Sequence, residues 1–112
     1  MDCVLAIDLG TSSVRASAHD ASASVIPNCS VVVPLSFQYT RDGGAFGDPV
    51  EVARSVEACI DQILDLCHDQ KLKIIAVGID VIAGTYVGMD DNDHAATDLF
   101  TYSETRSLQQ AT

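Results

Sequence analysis

The chain has 112 residues, 47% of them hydrophobic and 20% charged, and its sixteen acidic against six basic residues give a formal net charge of −10 at pH 7. That size allows one domain, and that share of apolar residues supports a packed core rather than a disordered tail. The acidic balance argues against a nucleic-acid partner, because phosphate backbones are held by clustered Lys and Arg; a nucleotide stays open, since a small phosphate site can be built from backbone N–H groups and a metal.

From Met1 to Asp8 the chain carries an acid where a secretory leader needs basic residues, and its apolar stretch is short. No apolar run approaches the roughly 20 residues of a membrane span. The expectation is a soluble, untargeted, cytoplasmic protein with no membrane partner.

Val4–Ile7 is an apolar run closed by Asp8; Gly10-Thr11-Ser12-Ser13 follow, then a second run from Val14 to Ala18. Two short strands joined by a small-residue turn fit this pattern. After the polar turn at His19-Asp20-Ala21-Ser22, the segments Val25-Ile26 and Val31–Val33 are interrupted by Pro27 and Pro34, which predicts an irregular or edge strand. Residues 40–48 form a glycine-rich loop. Asp48 is then an N-cap, Pro49 suits the first helical position, and Glu51 falls where a capping box places it. Val52, Val56, Cys59, Ile60, Ile63, Leu66 and Cys67 recur at three- and four-residue spacing, so a long amphipathic helix follows.

The pattern breaks at Lys71–Lys73. Ile74–Ile79 is nearly continuous in apolar residues, the mark of a strand covered on both faces, and ends at Asp80. A short strand is expected over Thr85–Met89 with a turn at Asp90–Asp93. Ser107–Thr112 reads as the first turn of a further helix. Three strands, a helix and a buried strand describe an α/β, ribonuclease H-like half-domain, with a mixed sheet, an antiparallel opening and a long crossover helix. The ending suggests a truncated domain over residues 1–112. Without covering from elsewhere, the strand 74–79 would expose apolar surface and favour self-association.

The segment from Asp8 to Arg15 carries the most chemistry. An acid closes a strand, Gly10 permits a tight turn, and Thr11, Ser12 and Ser13 line it with hydroxyls. Such a turn can aim N–H groups and hydroxyls at phosphate oxygens, with Asp8 near a hydrated magnesium ion and Arg15 near a phosphate. The same residues also make an ordinary β-hairpin, and residue types alone leave both readings standing. Cys3, Cys29, Cys59 and Cys67 form no Cys-x-x-Cys pair and read as reduced, packed thiols; Cys67 with His68 lacks the further ligands zinc needs. His19, His68 and His94 read as surface residues, and the Asp90–Asp93 run lacks the Gly and closing Glu of a calcium loop.

Asp8-Leu9-Gly10-Thr11-Ser12-Ser13 after an apolar strand resembles the first phosphate-binding motif of the superfamily of actin, hexokinase, Hsp70 chaperones and sugar kinases. Three later segments are similar to the FGGY carbohydrate kinases: Gly47-Asp48-Pro49-Val50-Glu51 opening the long helix, the strand Ile75–Ile79, and Thr101-Tyr102-Ser103-Glu104-Thr105-Arg106-Ser107. The likeness runs from residue 3 to residue 112. It implies an ATP-dependent kinase that phosphorylates a sugar or polyol hydroxyl, with ATP and Mg2+ as cofactors. Asp8, Gly10, Thr11, Ser12, Ser13 and Arg15 would face the terminal phosphates, with Asp8 near the metal. Asp80, Gly84, Glu104 and Arg106 would lie toward the sugar, although a helix-capping ion pair serves equally for Glu104 and Arg106, and a solvated carboxylate for Asp80. Gly84 stands where many members carry a sugar-contacting His, which leaves the substrate open. The family's general base, second phosphate motif and adenosine pocket lie further along the chain than residue 112, so this chain alone is expected to be inactive. The alternatives are a non-catalytic nucleotide-binding lobe, of pseudokinase or chaperone-ATPase type, and a small α/β interaction domain.

Overall fold

The computed structural model describes residues 1–107, so the helix expected at 107–112 falls almost wholly outside the described residues. Eight strands and one helix follow in order: β1 (Asp2–Leu9), β2 (Ser13–His19), β3 (Val25–Pro34), β4 (Gln38–Tyr39), β5 (Ala45–Gly47), α1 (Pro49–Asp69), β6 (Lys73–Asp80), β7 (Tyr86–Met89) and β8 (Ala95–Phe100). The chain divides into two compact units, one of residues 1–35 and 54–81 and the other of residues 36–53 and 82–112. No described helix is long and apolar enough to cross a membrane.

In the first unit the sheet runs β3-β2-β1-β6. β1 pairs antiparallel with β2 and β2 with β3, whereas β6 lies parallel to β1, as a crossover through a helix requires. This is the expected mixed sheet. The alternation along β1 is strict: Cys3, Leu5 and Ile7 are buried, while Asp2, Val4, Ala6 and Asp8 face out. Val14, Ala16 and Ala18 of β2, Ile26, Cys29 and Val31 of β3, and Cys59, Ile63 and Cys67 of α1 complete one core. Burying a side chain such as Ile63 is worth about 1.5–3 kcal/mol.

The expected edge strand is a single β3 that keeps its irregularity. Its register against β2 shifts between Ser17 and His19, and Asn28 takes a positive φ of 58°. Helix α1 starts as its cap predicts, with the Asp48 carboxylate accepting the Val50 N–H at 2.9 Å. It ends in a Schellman turn: Lys71 has a φ of 57°, its N–H donates to the His68 carbonyl, and the Leu72 N–H donates to the Cys67 carbonyl. Leu72 thereby packs on the core.

β6 is apolar as predicted and, as expected without covering from elsewhere, exposes that surface: it is the last strand of its sheet among the described residues, and Val77 and Ile79 are 53% and 69% exposed. Only Ile74 at its start packs partly on the core.

The second unit holds an antiparallel sheet in the order β4-β5-β8-β7. The Tyr86 and Phe100 rings stack at 5.4 Å between β7 and β8. Gly47 lies under the Phe37 ring, where a Cβ would come within 2.7 Å of it. β5, inside the glycine-rich segment read as a loop, pairs with β8, which the sequence did not announce.

Candidate functional site

The hairpin between β1 and β2 is closed by one backbone bond, from the Gly10 N–H to the Ser13 carbonyl at 3.0 Å. The Ser12 carbonyl accepts the Leu35 N–H at 2.9 Å, which ties the tip to the end of β3. Thr11 and Ser12 sit at the tip outside either strand, and their N–H groups find no partner among the described residues. Two amide donors and two hydroxyls are therefore left at the bend, the arrangement an anion needs. The Gly10 N–H is not among them, because turn closure engages it.

Ser13 is buried, and its Oγ accepts the Arg15 Nε–H at 3.2 Å. This bond draws the guanidinium back toward the turn. Register puts Asp8 between Arg15 on one side and Asp80 on the other, all three exposed. Asp8 and Asp80 stand at the carboxyl ends of two parallel strands, where open α/β sheets bind their ligands. A groove of about 820 Å³ runs from them along the outward face of the sheet, with Val4, Ala6 and Gly78 in its floor and His19 and Ala23 at its far end.

The far end of that groove is a rigid turn that sequence reasoning passed over as merely polar. The Asp20 carboxylate accepts the N–H groups of Ser22 and Ser24 and the Ser22 hydroxyl, and these bonds hold it below the usual carboxylate range. His19 bridges to it: Nδ1–H donates to the Ala23 carbonyl, which leaves Nε2 to accept the Ser17 hydroxyl at 2.8 Å in the neutral ring. Asp20 followed by Ser22 and Ser24 is the readable signal for such a turn.

The other sequence-predicted residues belong to the second unit. Glu104 has both carboxylate oxygens engaged. Oε1 accepts the Arg106 Nε–H at 2.7 Å, and Oε2 accepts the Ala45 N–H at 2.7 Å and the Arg106 side chain at 3.2 Å. Those bonds, Arg106 first and the Ala45 amide second, hold its carboxyl below the ordinary Glu range. Arg106 also lies over the Phe46 ring at 5.0 Å. The pair pins the segment after β8 to the glycine-rich segment at β5, where Gly43 and Gly44 leave room for Thr105 and Thr40. Gly84 has a φ of 61°, and a Cβ there would stand 3.2 Å from that of Tyr102. A side chain at this position would be strained by that backbone conformation.

The model of the N-terminal domain of the FGGY family of carbohydrate kinases matches residues 3–112. The chain belongs to this family. A glycerol kinase of Rhodospirillum centenum is 35% identical over 77 residues, which is 69% of this chain and 15% of that protein. Among solved structures, a xylulose kinase from Brucella ovis superposes with a TM-score of 0.85 at 20% identity, over 97% of this chain and 22% of its own. A Plasmodium falciparum glycerol kinase with ADP gives 0.84 at 18% identity, over 98% and 22%. The chain thus spans about a fifth of these kinases, and their ribonuclease H-like architecture is its own. Within this FGGY domain Asp8, the Gly10–Ser13 turn, Arg15 and Asp80 share the first unit, while Gly84, Glu104 and Arg106 lie in the second.

Proposed function

We propose that this chain is the phosphate-binding part of an ATP-dependent kinase that transfers the γ-phosphoryl group to a sugar or polyol hydroxyl. One observation carries the reading: the open N–H groups of Thr11 and Ser12 lie at a bend flanked by Asp8 and Arg15. The open N–H groups and hydroxyls of Thr11 and Ser12, on a turn that Gly10 and Ser13 close, form the cradle for the terminal phosphates, and Arg15, drawn toward the turn by Ser13, adds positive charge. Asp8 suits Mg2+, which keeps most of its water and takes one or two carboxylates beside the phosphates. The metal would neutralise phosphate charge there.

Asp80 and Gly84 are the candidates for the sugar side in their respective units. Glu104 and Arg106 act there by shaping the segment around Ala45 rather than by direct contact, since each already satisfies the other. Phosphoryl transfer rests on positioning and charge stabilisation around both reactants. The 112-residue chain by itself is therefore expected to bind nucleotide without measurable sugar phosphorylation, as a cytoplasmic protein would with no nucleic acid or membrane involved.

A second reading, a nucleotide-binding lobe without catalysis, draws on Gly84 and the self-satisfied Glu104–Arg106 pair. Titrating the chain with magnesium-ATP while following amide chemical shifts tests both. Shifts centred on Leu9–Ser13 are expected; unchanged resonances there would leave only a small α/β interaction domain. ADP release that depends on both sugar and Asp8 would overturn the prediction of inactivity.

A further inference from the structure

We propose that Ser13 is a positioning residue: its hydroxyl holds the Arg15 guanidinium beside the bend and off the Asp8 carboxylate. The inference rests on the phosphate-site reading of the bend and gives Ser13 a role other than contact with the ligand. Register sets Arg15 directly opposite Asp8 across β2 and β1. Side chains so placed come close enough to join, and opposite charges there favour a cross-strand pair. No ion pair joins these two among the described residues. The Arg15 Nε–H donates instead to the Ser13 Oγ at 3.2 Å, two positions back along its own strand.

The alternation of β2 makes this bond possible. Val14, Ala16 and Ala18 pack into the core, so Ser13 and Arg15 share the opposite face. Ser13 is buried and Arg15 exposed. A buried hydroxyl requires a hydrogen-bond partner, and Arg15 supplies it. The carbonyl of Ser13 meanwhile closes the turn by accepting the Gly10 N–H at 3.0 Å. One residue thus fixes the bend through its backbone and the guanidinium through its side chain. With Nε engaged, the two Nη groups are the donors of Arg15 that remain for an anion, on the side of Thr11 and Ser12. Asp8, without a guanidinium across it, keeps its charge for a cation. A direct Asp8–Arg15 pair would set the two charges against each other before any ligand arrived.

The test is a double-variant cycle on the 112-residue chain, with magnesium tripolyphosphate as the probe and the Thr11 and Ser12 amide shifts as the readout. Circular dichroism checks that each variant is folded. Arg15→Ala is expected to weaken binding about tenfold or more, and Ser13→Ala about threefold to tenfold. Adding Ser13→Ala to Arg15→Ala should change binding by less than about twofold, because the serine then has nothing to position. Ser13→Thr keeps the hydroxyl and should bind within about threefold of wild type. The Arg15 Nε–H resonance is a readout that lost packing alone would not move. It should exchange slowly in wild type and Ser13→Thr, and as fast as an exposed arginine in Ser13→Ala. Four results would each overturn the proposal: undiminished binding by Ser13→Ala, losses that multiply in the double variant, a folded Ser13→Thr as weak as Ser13→Ala, or fast Nε–H exchange in the wild-type chain. A wild-type chain that gives no shift with tripolyphosphate would sink the phosphate-site reading itself, and the role of Ser13 with it.

Discussion

Asp8 and Asp80 face each other in register on neighbouring parallel strands, at the carboxyl ends of both and next to the bend at Thr11 and Ser12, whose amides have no partner among the described residues. Their positions are not equivalent. Asp8 continues directly into the bend through Leu9 and pairs with Arg15, whereas Asp80 is one strand removed. Asp8→Asn should therefore weaken magnesium-ATP binding about tenfold or more, the loss of one charge-assisted interaction. Asp80→Asn should change it by less than about threefold. Amide-shift titrations at Thr11 and Ser12 measure both; equal losses would place the metal between the two carboxylates instead.

The glycine at 84 makes a separate, structural prediction. Its left-handed φ of 61° costs an ordinary L-residue about 1–2 kcal/mol, and the Tyr102 Cβ would be 3.2 Å from the new methyl group. Gly84→Ala should lower the unfolding free energy by at least that amount in urea. Gly84→Asn should cost less, because asparagine tolerates this region. An alanine variant as stable as wild type would mean that the 82–86 segment rearranges freely and that backbone geometry does not require glycine there.

Glu104 predicts an acid-side signature. Its folded carboxyl titrates below its ordinary value because Arg106 and the Ala45 amide bind the ionised form. A depressed carboxylate contributes stability that is complete above its unfolded pKa and disappears as pH falls through the folded value. The gap in melting temperature between wild type and Glu104→Gln should be constant near neutrality and shrink below about pH 4.5, where an unfolded Glu gains its proton. A gap independent of pH would show that the variant loses shape complementarity rather than charge.

Periodicity made most of the first unit readable. Two apolar runs, Val4–Ile7 and Val14–Ala18, split by a small-residue turn, marked two strands, and the three- and four-residue recurrence from Val52 to Cys67 marked α1, whose cap at Asp48 is where the sequence put it. The apolar run of β6 and its exposure have one physical reason. A run such as Ile74–Ile79 records the surroundings a strand was selected for, and the described residues leave Val77 and Ile79 in solvent. The short strands of the second unit gave no such signal. β5 is Ala-Phe-Gly, held by the Phe46 and Gly47 pairing with β8, a contact set more than fifty residues away in the chain. At the candidate site, residue types named the bend but not its bonds. That Gly10 closes the turn while Thr11 and Ser12 stay open depends on where β1 and β2 stop pairing, and spacing alone does not encode this.

The core thiols predict an alkaline limit to stability. Cys3, Cys29 and Cys67 are each at most 1% exposed and come together where α1 crosses the sheet. Burial, followed by the neighbouring Cys3 and Cys29, pushes the Cys67 thiol up to about 11 from an ordinary 9.0. The folded chain then keeps a proton that the unfolded chain loses first, so stability is whole below pH 9 and declines as pH rises toward 11. Cys67→Ala should flatten that decline while lowering stability at pH 7, since it also removes a packed side chain. Because the thiolate is the reactive form, all four cysteines of the native chain should resist a thiol reagent at pH 8 and react together once urea unfolds the domain. Rapid labelling of Cys67 under native conditions would mean that the C-terminal turn of α1 opens locally, and the pH profile would then report that opening rather than global unfolding.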